Sequence, residues 1–202
     1  MTAKIYLEGG GDSKDLHILC RQGGFRQLME SAGFSGGKMP RLVSCGGRDA
    51  VYEDFKTAHQ QNSTDYIAML IDSEDPVDDL ERTWDHLGKR DHWEQPDGSD
   101  DQQVLFMATC METWILSDRV TLRQHYGHDL QESALSPLEN LEQRNRHEVQ
   151  ENLKHATRNC SNAYQKGKRS FEVLGKLDPP ATLETHLEAF RRMKRILNEK
   201  MQ

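Results

Sequence analysis

Tyr66-Ile67-Ala68-Met69-Leu70-Ile71 runs without interruption into Asp72-Ser73-Glu74-Asp75. The run has the length and bulk of a buried strand, and it ends abruptly in acid. A second run repeats the pattern near the start of the chain. There Lys4-Ile5-Tyr6-Leu7 leads into Glu8-Gly9-Gly10-Gly11-Asp12. Both runs are followed by helix-like sequence. In an open parallel sheet the carboxyl ends of the strands form the ligand crevice. Two such strands in one sheet would bring Glu8 and the Asp72 cluster to one edge. Carboxylates crowded together repel each other unless a cation sits among them. An all-oxygen set suits a hard divalent ion, Mg²⁺ first and Mn²⁺ as its substitute. Metal-assisted phosphoryl chemistry is therefore the first expectation.

Working outward, residues 4–8, Met39 to Ser44, Asp65 to Ile71 and Val104 to Met107 read as four strands. Asp12 or Ser13 can cap a helix whose apolar face carries Leu16, Leu19, Cys20, Phe25, Leu28 and Met29. Gly23-Gly24 favours a break inside it. Arg48 to Gln60 reads as a second helix. Pro76 suits the first turn of a third, with Leu80, Trp84 and Leu87 at helical spacing. Residues 88–102 read as a polar loop. Helices are then expected over Cys110 to Leu116, Val120 to Tyr126, Glu148 to Arg158 and Lys166 to Leu174. Asp178-Pro179-Pro180 opens a last one. Alternating strands and helices predict an α/β, Rossmann-like fold with a four-stranded, mostly parallel sheet. Residues 1–126 form the metal-binding domain in this reading, and 127–202 form a basic helical extension packed on it.

The chain's 202 residues fit one domain with an appendage. No apolar run approaches a membrane span, and the N-terminus lacks a signal-peptide pattern, so a cytoplasmic location is expected. Cys20, Cys45, Cys110 and Cys160 are too widely spaced for a zinc site and read as buried thiols. His125 and His128 lack further ligands nearby, which argues against zinc. The net charge of −7 argues against a general nucleic-acid coat. The charge is uneven, however. Residues 151–202 carry eleven Lys and Arg against six acids, whereas Asp72 to Asp101 holds twelve acids against three basic residues. Carboxylates could hold metal while the basic tail grips phosphates.

Glycines after Glu8 permit close backbone approach, but a strand-to-helix turn with Glu8 in solvent would need no ligand. Neither a Walker loop nor a Gly-x-Gly-x-x-Gly fingerprint is present. On an extended strand end, Asp72 and Glu74 point the same way and could share an ion. Asp75 faces elsewhere unless the turn begins there, and it would also suit a helix N-terminus.

Glu8 followed by glycines, with Asp72-x-Glu74 after the third strand, resembles the Toprim domain. That family carries a Glu after strand one and Asp-x-Asp after strand three, so Glu74 is a departure that lengthens one arm. The likeness covers roughly residues 1–120. It is greatest to small stand-alone Toprim-like proteins, related to OLD-type nucleases, that are encoded beside ABC-type ATPases in bacterial defence islands. Glu112 in Met111-Glu112-Thr113-Trp114 resembles the Glu-x-Trp of that subgroup, and Tyr164-Gln165-Lys166 its Tyr-x-Lys. The resemblance implies Glu8, Asp72, Glu74 and Glu112 as metal ligands. It makes Glu8, Asp72, Glu74 and Lys166 catalytic, with Lys166, Lys168 and Arg169 contacting nucleic acid. The implied activity is Mg²⁺-dependent hydrolysis of DNA or RNA, including transfer RNA, by an effector of an ATPase-coupled anti-phage system. An ABC-type or AAA ATPase would be its partner, and a homodimer is open to such an effector.

Two other readings stand beside it. The acidic front and the Asp-x-Glu departure suit a non-catalytic module that docks on a partner ATPase. A phosphoacceptor with Asp72 as the modified residue ranks last, because strand one does not end in an acidic pair.

Overall fold

The computed structural model describes residues 2–11, 13–61 and 64–201. Strands β1 (Ala3–Glu8), β2 (Arg41–Gly46), β3 (Tyr66–Asp72) and β4 (Val104–Met107) form one sheet in the order β2-β1-β3-β4. Every neighbouring pair is parallel. Successive side chains of a strand point to opposite faces, so a sheet covered on both sides needs apolar residues at every position. Ile5, Leu7, Ala68, Leu70, Leu105 and Met107 point into one core. Tyr6, Ile67, Met69, Ile71, Val104 and Phe106 point into the other.

Helix α3 (Arg48–Gln60) and helix α4 (Thr83–Asp91) cover the second face through Val51, Phe55, Trp84 and Leu87. The first face is covered by α1 (Lys14–Ile18), a π-helical stretch (Leu19–Phe25) and α2 (Arg26–Ser31), which form one continuous run. Ser13 caps this run, its Oγ accepting from the Leu16 amide at 3.4 Å. Asp12, the other expected cap, lies outside the described residues. The expected break at Gly23-Gly24 is a π-helical widening instead. Gly24 admits helix α8 (Lys168–Leu174), since a Cβ there would meet Phe171 at 3.3 Å.

Helices α5 (Met111–Ser117), α6 (Arg119–Tyr126), α7 (Arg146–Thr157) and α10 (Glu188–Lys200) complete the first face, and the short α9 (Glu184–His186) precedes α10. Trp114 is fully buried and meets Phe190 of α10 edge to face at 5.1 Å. The segment opened by Asp178-Pro179-Pro180 is π-helical and is separated from α10 by extended Leu187. No helix among the described residues is long and apolar enough to cross a membrane.

Two expectations are corrected. Strand β2 runs two residues later than Met39 to Ser44, because Gly46 pairs with the end of β1. Pro76 is not in a helix; α4 begins only at Thr83 and runs to Asp91, four residues into the expected 88–102 loop. The Asp79 carboxylate accepts from the Glu81 amide at 2.9 Å, and Asp101 accepts from the Trp84 amide at 2.9 Å. These side chains hold residues 79–82 in a turn and start the helix late.

Candidate metal centre

Parallel pairing of β1 and β3 brings both strand ends, Glu8 and Asp72, to the carboxyl edge. The register of β1 against β2 shifts between Leu7 and Glu8. Gly9 then forms an antiparallel bridge with Gly46, with N···O distances of 2.8 and 3.1 Å. Gly9, Gly10 and Gly11 take φ of +135°, +93° and +51°. Such angles are strained for residues with a Cβ, so the glycine run is a requirement of this turn. At Gly10 space also forbids a side chain, since a Cβ would lie 2.8 Å from the His17 ring.

Glu8, Asp72 and Glu74 each offer a carboxylate oxygen, and these oxygens lie within 4.8 Å of one another. The Asp72 amide donates to Glu8 Oε2 at 3.1 Å. Asp72 Oδ1 accepts from the Met111 amide, at the start of α5, at 2.8 Å. The strand ends at Asp72, and Glu74 adopts φ +70° with its amide bonded to the Thr109 carbonyl at 2.8 Å. The expected strand geometry for Asp72 and Glu74 is thus replaced by a left-handed turn, which still delivers Glu74 to the cluster. Asp75 is exposed and pairs with Arg90 at 3.1 Å.

Burial raises the Glu8 carboxyl above its ordinary range, against the nearby Arg48 charge that pulls it down. Asp72 is raised well above the usual carboxylate range by burial, and further by repulsion from Glu8 and Glu112. A buried group of like charges is costly unless a cation compensates it. The donors are all carboxylate oxygen, which fits a hard divalent ion of the Mg²⁺ or Mn²⁺ type.

Glu8, Asp72, Glu112 and Lys166 line a cavity of about 350 Å³ together with Gly9, Gly10, Gly11, Gly46 and Gly167. Glu112 is fully buried on α5. The Tyr164 hydroxyl donates to its Oε1, and Gln150 Nε2 donates to its Oε2 at 3.2 Å. Burial, and then the Glu112 charge, push the Tyr164 phenol far up, so it remains a donor. Lys166 is an exposed residue at the cavity, where its charge counters Glu8 and Asp72. Lys168 is exposed at the start of α8. Arg169 Nη1 donates to the Ala163 carbonyl at 2.6 Å, which commits that side chain to holding its own loop.

Three arginines absent from the sequence-derived site surround the acids. Arg48, at the start of α3, lies 3.4 Å from Glu8 Oε2 and also donates to the Asp72 carbonyl. Its Nε and Nη2 fork onto Asp91 at 3.0 and 2.8 Å, and its guanidinium lies over the Trp93 ring. Arg90 reaches Glu74 at 3.2 Å and pairs with Asp91. Arg146, the first residue of α7, ion-pairs with the same Glu74 oxygen. Glu8 and Glu74 are thereby joined through Arg48, Asp91 and Arg90. Strand order held a clue to Arg48: β2 lies beside β1, so the helix that follows Gly46-Gly47 starts near Glu8. Nothing local marked Arg90 or Arg146.

The chain belongs to the family described as a domain of unknown function, DUF4276, which matches residues 7–194. No curated protein matches the chain significantly, and neither does any solved structure.

Proposed function

We propose that this protein is a divalent-metal-dependent phosphodiesterase acting on nucleic acid. The observation that carries the reading is the convergence of half-buried Glu8 with buried Asp72 and Glu74 within 4.8 Å at the carboxyl edge of the sheet. Buried like charges at a ligand crevice are costly for stability and common at functional sites. Glu8, Asp72 and Glu74 would hold the ion, with Glu112 available to a second one. Bound metal supplies Lewis-acid stabilisation of a phosphoryl oxygen and a more acidic water. The chain's own groups do the rest. Lys166 offers charge to the phosphate at the cavity. Glu8 would either share the ion or, through a carboxylate oxygen left free by it, take a proton from water. Arg48 fixes the Glu8 carboxylate and the Asp72 backbone together.

The resemblance to Toprim-like proteins encoded beside ABC-type ATPases extends the proposal to an effector role with an ATPase partner in anti-phage defence. One observation favours the second reading, a non-catalytic subunit: Glu74 is already neutralised by Arg90 and Arg146.

Calorimetric titration with Mg²⁺ and Mn²⁺, beside cleavage assays on DNA and total RNA, tests the proposal. Wild type should bind metal and cleave, and Glu8→Ala and Asp72→Ala should do neither. Metal binding without cleavage, with and without an ATPase partner, would move the assignment to the regulatory subunit. Absence of metal binding would end the phosphodiesterase reading and leave the non-catalytic subunit, whose acidic cluster is held by arginines instead of a metal.

A further inference from the structure

The depth and lining of the metal-centre cavity restrict what can reach it. Asp72 is 7% exposed and Glu112 is fully buried, so both acids lie below the protein surface. The cavity above them is about 350 Å³, at the small end of the roughly 300–1,000 Å³ typical of small-ligand clefts. A rigid duplex presents its phosphates on a convex cylinder and cannot lower one into such a space. A nucleotide that has left the base stack can enter.

The walls match that guest. One side is backbone, formed by the glycine run and Gly46. Apolar side chains complete the lining, with Leu16, Met107, Met111 and Phe171. Phe171 also packs against the glycine run, since a Cβ on Gly9 would meet its ring at 3.1 Å. Peptide faces, thioethers and an aromatic ring lining one cavity can receive a planar base without reading its edges. Cationic charge is confined to Lys166, with Lys168 two residues on. That arrangement suits the phosphates flanking one inserted nucleotide rather than a long duplex track.

We infer that the cavity takes one unpaired nucleotide of a single-stranded or terminal segment, with its base against Leu16, Met111 and Phe171. This rests on the proposed phosphodiesterase reading and adds its substrate class and the residues that select it. Leu16 is the useful probe. It is half-buried on α1, a helix with no buried residue, so a larger side chain there fills the cavity without disturbing the core.

The test is fluorescence anisotropy with a labelled oligothymidylate, in Ca²⁺ to support binding with little turnover, beside a blunt hairpin duplex of equal charge. Manganese titration of each protein runs in parallel. The single strand should bind at least about 10-fold more tightly than the duplex. Leu16→Trp should weaken single-strand binding by about 10-fold or more while leaving manganese affinity unchanged. Equal affinity for strand and duplex overturns the inference, as does a Leu16→Trp variant that binds the strand like wild type. Both outcomes leave the phosphodiesterase reading intact if manganese still binds. Failure of wild type to bind manganese removes that reading and this inference together.

Discussion

The two ends of the sheet carry cavities of opposite character. At the amino end, a groove of about 940 Å³ runs past the start of β3, the end of α3 and Lys200. At the carboxyl end, the cavity is about 350 Å³. The larger space mixes Lys56, His59 and Lys200 with Glu94, Asp97 and Asp100, and those three acids are exposed to water. Its polar groups satisfy one another: Tyr52 donates to the Glu94 carbonyl at 2.6 Å, and Gln103 to the Ile67 carbonyl at 2.8 Å. The smaller space contains acids withdrawn from water and lacking enough nearby positive charge to bring Asp72 back to its ordinary range. Size therefore points to one end and electrostatics to the other. Electrostatics decides, because a solvated charge costs little and a buried uncompensated one costs stability.

The largest expected effect separates the ends outright. Asp72→Asn keeps an oxygen for the Met111 amide and removes the charge. It should weaken Mn²⁺ binding by roughly 100-fold or more, measured by calorimetry. The same variant should melt at a higher temperature than wild type in chelator near neutral pH. The folded Asp72 holds its proton above the pH at which the unfolded carboxyl releases it. Its favourable contribution is thus present at acid pH and is lost as pH rises through the folded value. The neutral amide escapes that loss, and thermal melts of both proteins across pH check the sign. Destabilisation of metal-free protein by Asp72→Asn would mean that the surrounding arginines already compensate the cluster.

Next in size is a paired glycine experiment. Gly10 and Gly98 both adopt positive φ, at +93° and +79°. A Cβ on Gly10 would lie 2.8 Å from the His17 ring and 2.9 Å from Ser44 Oγ, whereas one on Gly98 meets only His59 at 3.8 Å. Gly98→Ala therefore incurs backbone strain of about 1 kcal/mol, and Gly10→Ala adds the steric term to reach about 2–3 kcal/mol. Urea denaturation of the two variants measures the difference. Equal losses would show that the carboxyl-end turn can relax and is less constrained than its geometry indicates.

Arg146→Ala should give a smaller effect of opposite sign. Arg146 and a metal ion compete for Glu74, whose other cationic partner, Arg90, remains. Removing one competitor should tighten Mn²⁺ binding by roughly five-fold, equivalent to about 1 kcal/mol. Weaker binding in this variant would instead make Arg146 a support that orients Glu74.

The contrast between the ends was only partly legible in the sequence. Uninterrupted apolar runs and the acids after β1 and β3 exposed the sheet, its carboxyl edge and Glu8 with Asp72. Those signals are local, and a sheet covered on both faces enforces them. The end of β2 was less legible because Gly46 belongs to the strand only through its pairing with β1. The late start of α4 depends on Asp101 reaching back from the far side of a loop. Arg48, Arg90 and Arg146 reach the acids across wide separations in the chain, and an arginine in a helix reads as solvated surface until the partner strand is placed. Glu74 was found for the wrong geometric reason: a left-handed turn, not strand alternation, brings it to Glu8 and Asp72.

The smallest effect is expected at the amino end, where it limits the whole comparison. Lys200 lies 5.8 Å from the Tyr66 ring centroid, and Lys56 lies 4.3 Å from that of Tyr52 and 2.7 Å from Glu53. Each lysine is engaged on an aromatic face, and the exposed acids nearby are already solvated. Lys56→Ala and Lys200→Ala should therefore leave both Mn²⁺ and oligothymidylate affinity unchanged, whereas Lys166→Ala should weaken the oligonucleotide several-fold and reduce its salt dependence. Loss of one phosphate contact lowers the slope of log affinity against log salt by about one. If Lys200→Ala lowered that slope and Lys166→Ala did not, the strand would run along the amino-end groove. The carboxylates would then be a metal site without a nucleic-acid path to it, which is the geometry expected of the regulatory subunit rather than the phosphodiesterase.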